Sequence, residues 1–218
     1  MINVKNINIK YIKGFVFILY LVGIVGLSLP FSRTLFQQLT PVNLIISTVL
    51  LFIFHAKWNA EFVIVSFVIV VLSIVAEGLG TNHGLLFGNY TYGQTLGMKI
   101  WNVPLLIGIN WLVLTYAAYV LFRNIRTHVF FRAMLAAFFL VLYDFLLERP
   151  AGILDMWNWE NMIIPFKNYA TWFVFSFVFV LFFSWRRLDI KNPIAVFLIL
   201  TQFVFFLLLN LTLKVWEF

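Results

Sequence analysis

The sequence predicts an all-α integral membrane protein: a single bundle of about seven transmembrane helices with almost no soluble mass. Three observations carry this. The chain is 63% hydrophobic and only 11% charged, against about a quarter charged in soluble domains. Its mean hydropathy is +1.00. Its apolar runs recur at lengths near the roughly 20 residues needed to cross a bilayer, and they leave no stretch long enough for a separate soluble core.

The first run lies near residues 14–30, behind Lys5, Lys10 and Lys13. A basic start followed by an apolar run resembles a signal peptide. No small-residue cleavage site precedes Pro30, so the run is expected to be retained as the first helix. The second run, 42–55, is short for a full span and reads as a tilted or re-entrant segment. Further helices are expected near 61–79, 103–122, 130–148, 170–185 and 194–214. Two long connections, 80–102 and 149–169, are rich in Gly, Trp, Tyr and Asn, while the remaining connections are short and basic. No internal repeat or low-complexity linker interrupts this pattern, and 1–218 reads as one membrane domain.

The net charge of +7 does not indicate nucleic-acid binding, because Lys and Arg sit in short loops between apolar runs. With the N-terminus inside, the inner segments hold Lys5, Lys10, Lys13, Lys57, Arg123, Arg126, Arg132, Arg186, Arg187 and Lys191. The outer ones hold only Arg33, Lys99, Arg149, Lys167 and Lys214. The positive-inside rule therefore favours N-in, C-out. The absence of cysteine excludes disulfides, thiolate catalysis and Cys-ligated metals.

Five of the eight acidic residues fall near one membrane face: Glu77, Asp144, Glu148, Asp155 and Glu160. Glu77 ends one apolar run and Asp144 nearly ends another, and in a seven-helix arrangement both runs exit on the same side. Asp144 and Glu148 are four residues apart and share a helix face. A carboxylate at hydrocarbon depth costs about 2.5–3.5 kcal/mol on insertion scales, which makes it a functional candidate by default. The bland alternative is an acid one turn from a helix end that reaches interfacial water, or that pairs with Arg149. Two protonatable carboxyls in an apolar cavity suit acid–base chemistry, with one held protonated as acid and a better-solvated neighbour ionised as base.

The aromatic residues Tyr90, Tyr92, Trp101, Trp111, Trp157, Trp159, Tyr169 and Trp172 admit two readings. They form the interfacial belt of an ordinary membrane protein, or they line a site for a long apolar substrate, where ring faces can steady a cation. The glycines of residues 78–97 predict a tightly turning loop, which is tolerated at membrane depth only against protein or a wet cavity. His83 is a lone loop histidine and a poor metal site. His55 and His128 are expected at the interface. No Walker motif, dinucleotide fingerprint, zinc motif or nucleophile elbow is present. One acidic pair without a second is too little to hold a magnesium diphosphate.

Glu77-Gly78, the run TNHGLLFGNYTYGQTLG over 81–97, Val103-Pro104 and Asn110-Trp111 together resemble the membrane carotenoid biosynthesis protein family. That family includes bisanhydrobacterioruberin hydratases and related carotenoid 1,2-hydratases. Asp144, Glu148, Trp157, Trp159, Ile164-Pro165, Asn168-Tyr169 and Trp172 resemble its second conserved-order stretch, so the likeness covers 77–172. One departure is Arg149, which stands between Glu148 and Pro150 where the pattern has proline directly after the acid.

The resemblance implies hydration of the terminal double bond of a linear carotenoid end to a tertiary alcohol, with no metal and no redox cofactor. Asp144 and Glu77 would be the acid–base pair, supported by Glu148 and Asp155. His83, Tyr90, Tyr92, Trp101, Asn110, Trp111, Trp157, Trp159, Asn168, Tyr169 and Trp172 would bind substrate. The implied partners are a lipid-soluble carotenoid, membrane lipids and other enzymes of the pathway, and the implied location is the bacterial inner membrane. Competing readings are a small membrane lycopene cyclase, which would quench the same cation with an internal alkene, and a transporter or channel. Against the transporter, the acids cluster on one side and no broken helices repeat in two halves. A retinal-type photoreceptor would need a mid-membrane lysine, whereas the last helix offers only Lys214 at its end.

Overall fold

A computed structural model of the chain describes residues 8–186, 188 and 190–213. Lys5, Arg187 and Lys214, used above in the charge count, lie outside the described residues. Seven helices, each long and apolar enough to cross a membrane, account for most of the described chain: α1 (Ile9–Ser28), α2 (Pro30–Ile53), α3 (Ala60–His83), α4 (Leu105–Phe122), α5 (Val129–Ile153), α6 (Phe166–Trp185) and α7 (Ala195–Thr212).

α1 begins at Asn8, whose side chain accepts the Lys10 amide at 3.0 Å. A single residue, Leu29, separates α1 from α2, and Pro30 opens α2 where its missing N–H costs nothing. Arg33 then reaches back, donating from Nε to the Leu27 carbonyl at 3.0 Å and from Nη2 to the Ser28 carbonyl at 3.3 Å. It thereby satisfies carbonyls left without partners at the end of α1. α2 is accordingly a full span of 24 residues that continues through Pro41, where the sequence suggested a short segment over 42–55.

Asn59 caps α3 by accepting the Phe62 amide at 2.8 Å, and Gly84 ends it with a left-handed φ of 62°. α4 is the axis of the bundle: 61% of it is buried, against 11% of the most apolar stretch of α2. It packs against α2, α3, α5, α6 and α7, and α1 closes the bundle through α2 and α7.

Short strands form inside the two long connections. β1 (Tyr90–Tyr92) pairs antiparallel with β4 (Trp157–Trp159), in the register Tyr90↔Trp159, Thr91↔Asn158 and Tyr92↔Trp157. β2 (Lys99–Ile100) pairs with β3 (Val103–Pro104). Side chains alternate along a strand, so the Y-x-Y and W-x-W spacings turn Tyr90, Tyr92, Trp157 and Trp159 to one side and Thr91 and Asn158 to the other. The β1–β4 ribbon lies over the end of the bundle where α3 and α5 finish. Glu77, Asp144 and Glu148 lie near those helix ends.

His55 stands just beyond the end of α2 and is packed against protein. It is 5% exposed, stacked on Phe62 at 3.9 Å between centroids, and its Nδ1 lies 2.9 Å from the Tyr116 hydroxyl. Tyr116 also accepts from Asn192 at 3.1 Å, so a polar knot fastens the end of α2 to α4 and to the α6–α7 connection. His128 is exposed at the start of α5.

Candidate active site

Three carboxyls converge beneath the β1–β4 ribbon. Glu77 is 5% exposed, Asp144 0% and Glu148 4%. Glu77 receives hydrogen bonds from three directions. The Tyr90 and Tyr92 hydroxyls donate to Oε2, the latter at 2.8 Å, and Trp111 Nε1 donates to Oε1 at 2.9 Å. Tyr90 reaches the acid because residue 80 is glycine: a Cβ there would lie 2.9 Å from the Tyr90 hydroxyl, closer than side chains normally pack.

Glu148 is held in a similar way. Trp157 and Trp159, the inward pair of β4, both donate their indole N–H to Oε2, at 2.9 and 2.6 Å. Asn168, in the first turn of α6 and 2% exposed, donates to Glu148 Oε1 at 3.1 Å and to Asp144 Oδ2 at 2.8 Å. One amide thus bridges two carboxyls a helical turn apart. Asp144 Oδ1 is buried and has no hydrogen-bond partner among the described residues.

Every one of these donors is neutral. Burial pushes the Tyr90 and Tyr92 phenols above their usual range, and the neighbouring Glu77 carboxyl adds to it, so both stay protonated donors. Arg149 does not take up Glu148, whose oxygens are occupied as above. Its guanidinium lies 5.9 Å from the Phe145 ring, and both it and Pro150 continue α5 without a break.

A small cavity of about 30 Å³ opens between Glu77 and Glu148, room for about one water. Its walls are Phe87, Tyr90, Tyr92, Ile107, Asn110, Trp111, Leu147, Trp157, Trp159, Asn168 and Trp172. Trp111 and Trp172 stack with centroids 4.0 Å apart, which fixes the indole that donates to Glu77.

Most of the residues expected from sequence therefore meet here, and five do not. Asp155 lies in the turn before β4 with a left-handed φ of 51°, and its Oδ2 accepts the Gln94 backbone amide at 2.9 Å. It pins the two long connections to each other outside the chamber. Glu160 plays a similar part, accepting from Asn89 at 2.7 Å while exposed. His83 is exposed at the end of α3, Trp101 covers the α3 backbone at Gly78 from outside, and Tyr169 rests near Phe145. Phe87, Ile107 and Leu147 line the chamber and were not singled out from sequence; as ordinary apolar residues they carry no mark that separates a cavity wall from core.

No curated protein and no solved structure matches the chain. The sequence model of one family does, over residues 39–217, which takes in the second half of α2, both long connections, the three carboxyls and Asn168. The chain belongs to the carotenoid biosynthesis protein family.

Proposed function

We propose that this protein is a carotenoid hydratase that adds water across the terminal carbon–carbon double bond of a linear carotenoid end. Membership of the family supports a membrane enzyme of carotenoid biosynthesis acting on a lipid-soluble substrate. The finer reading rests on one observation: three buried carboxyls given neutral donors among the described residues, two of which, Glu77 and Glu148, line an aromatic-walled chamber that fits a water molecule.

The hydrogen bonds support a division of roles among the three. Two carboxyls sharing one amide are best accommodated with one proton between them, because like charges held close cannot both be ionised cheaply. Asp144, which receives a single hydrogen bond among the described residues, is the least equipped of the three to hold a negative charge. The Asp144–Glu148 pair therefore carries the proton, resting on Asp144, and it passes by way of Glu148, which faces the chamber, to the less substituted alkene carbon. The tertiary cation left behind is steadied by the ring faces of Trp and Tyr. Water in the chamber forms the new C–O bond and gives its proton to Glu77, whose three donors stabilise the carboxylate. Return of that proton to the Asp144–Glu148 pair across the chamber restores the starting state, with the net addition of one water. No oxidation occurs, so the reaction needs no redox cofactor.

A cyclase would start with the same protonation but close the cation with an internal alkene. The water-sized polar space between Glu77 and Glu148 favours addition of water over closure. Expression in a bacterium that makes linear carotenoids, with mass spectrometry of the pigments, separates the two. A hydratase adds the mass of one water, and that product is lost in Glu77→Gln and Glu148→Gln. A product of unchanged mass with cyclic ends overturns the reading.

A further inference from the structure

The acid chamber is too small for an isoprenoid end and its chain, yet it shares a wall with a cavity ten times larger. That second cavity, about 310 Å³, lies between α1, α2, α4, α5 and α7 and is walled mainly by apolar side chains, among them Leu19, Leu27, Phe36, Leu44, Phe205 and Phe206. Ile107, Asn110, Leu147 and Trp157 line both spaces. The partition is thus one side chain thick, and Trp157 in it donates directly to Glu148 at 2.9 Å. Asn110 brings the one amide of the four. The cavity is also bordered by Val22, Leu39 and Val42, which are exposed on the outer surface of α1 and α2. In a bilayer that surface meets lipid.

We propose that this cavity is the berth of the substrate's isoprenoid chain, which enters sideways from the lipid between α1 and α2 and reaches Glu148 with one end where Asn110 and Trp157 divide the two spaces. The proposal rests on the hydratase reading for the identity of the chain, and on the geometry alone for its place. Volume sets how much is held. An engineered apolar cavity of about 150 Å³ takes up a benzene molecule, so 310 Å³ holds about two such groups, roughly a dozen carbons. The remainder of a carotenoid stays in the bilayer, so a molecule with two reactive ends is processed one end at a time. The α1 wall and Phe36 also lie outside residues 39–217. Part of the wall that meets the chain thus belongs to a segment separate from the acids.

Two substitutions fill the berth from different helices without touching a carboxyl. A Cβ at Gly23 would stand 3.3 Å from the Phe205 ring, so Gly23→Phe projects into the space, and Thr40→Phe does so from α2. Gly14→Phe is the control on the same helix, where nothing lies within 4 Å of a Cβ. The full-length protein in lipid nanodiscs is titrated with lycopene, and binding is read from the polyene absorption shift. Folding is checked by gel filtration and thermal midpoint. The expected result is binding at least about tenfold weaker in Gly23→Phe and Thr40→Phe, as overfilling a packed cavity brings, with Gly14→Phe unchanged. Folded variants that bind lycopene like wild type overturn the berth; should Gly23→Phe fail to fold, Thr40→Phe decides. If binding falls as expected but wild type hydrates nothing, the berth stands and the hydratase reading fails. If wild type hydrates lycopene and both Phe variants bind it unchanged, the reverse holds.

Discussion

Replacing Asn168 by leucine tests the bridge on which the division of labour among the acids depends. The amide is 2% exposed and donates one hydrogen to Asp144 Oδ2 at 2.8 Å and the other to Glu148 Oε1 at 3.1 Å. Leucine is close in size, so the cost comes from the hydrogen bonds. Leaving one buried acceptor without its donor costs about 1–3 kcal/mol. Asp144 would lose the one hydrogen bond its side chain receives, while Glu148 keeps Trp157 and Trp159. The loss should therefore fall between one and two full penalties, about 2–4 kcal/mol. Reversible unfolding in mixed detergent micelles measures it. A double-mutant cycle isolates the Asp144 share: Asn168→Leu made in an Asp144→Asn background should cost at least about 1 kcal/mol less than in wild type. A change within about 0.5 kcal/mol, the size expected of an unimportant substitution, would refute the bridge. So would two effects that simply add.

Trp111→Phe keeps a ring against Trp172 but deletes the donor to Glu77 Oε1. Turnover should fall about 10²-fold, with stability lowered by about 1–2 kcal/mol; turnover within threefold of wild type would remove Trp111 from the mechanism. Gly80→Ala puts a Cβ 2.9 Å from the Tyr90 hydroxyl and displaces it from Glu77. Activity should fall while Gly14→Ala, in open space, leaves it unchanged. At His55, burial lowers the imidazole below its ordinary value of 6.5, so the unfolded chain binds the proton more readily than the folded one. That contribution to stability is complete above about pH 6.5 and is lost as pH falls from there toward the folded value. The thermal midpoint of wild type should drop over that window, and that of His55→Gln should drop less.

The helices were legible because a bilayer imposes a length. Where the apolar run was diluted, as in α2 by Arg33, Gln37, Gln38 and Pro41, length alone misled. Arg33 is tolerated there because it spends its donors on the last carbonyls of α1, a tertiary fact invisible in a hydropathy pattern. Glu77 and Asp144 could be singled out because a carboxyl following a long apolar run must be buried or paired. Asp155 has the same chemistry and a nearby position, yet its left-handed backbone turns it to the Gln94 amide instead. Residue type could not decide between those fates. The β1–β4 ribbon was hidden for a different reason: its two-residue spacings were plain, but pairing joins segments more than sixty residues apart. The large cavity left no mark at all, since Leu and Phe around a void are spelled like Leu and Phe in a packed core.

If buried carboxyls add the elements of water to an alkene, the new oxygen and the new hydrogen both come from solvent. Purified protein in nanodiscs, supplied with lycopene in separate incubations in H₂¹⁸O and in D₂O, reads both halves of that addition. The expected product carries ¹⁸O in the tertiary hydroxyl and one deuterium on the adjacent carbon, with rates falling about 10²–10⁴-fold in Glu77→Gln and Glu148→Gln. Wild-type protein that binds lycopene but incorporates neither label, or full labelling in both variants, would contradict it.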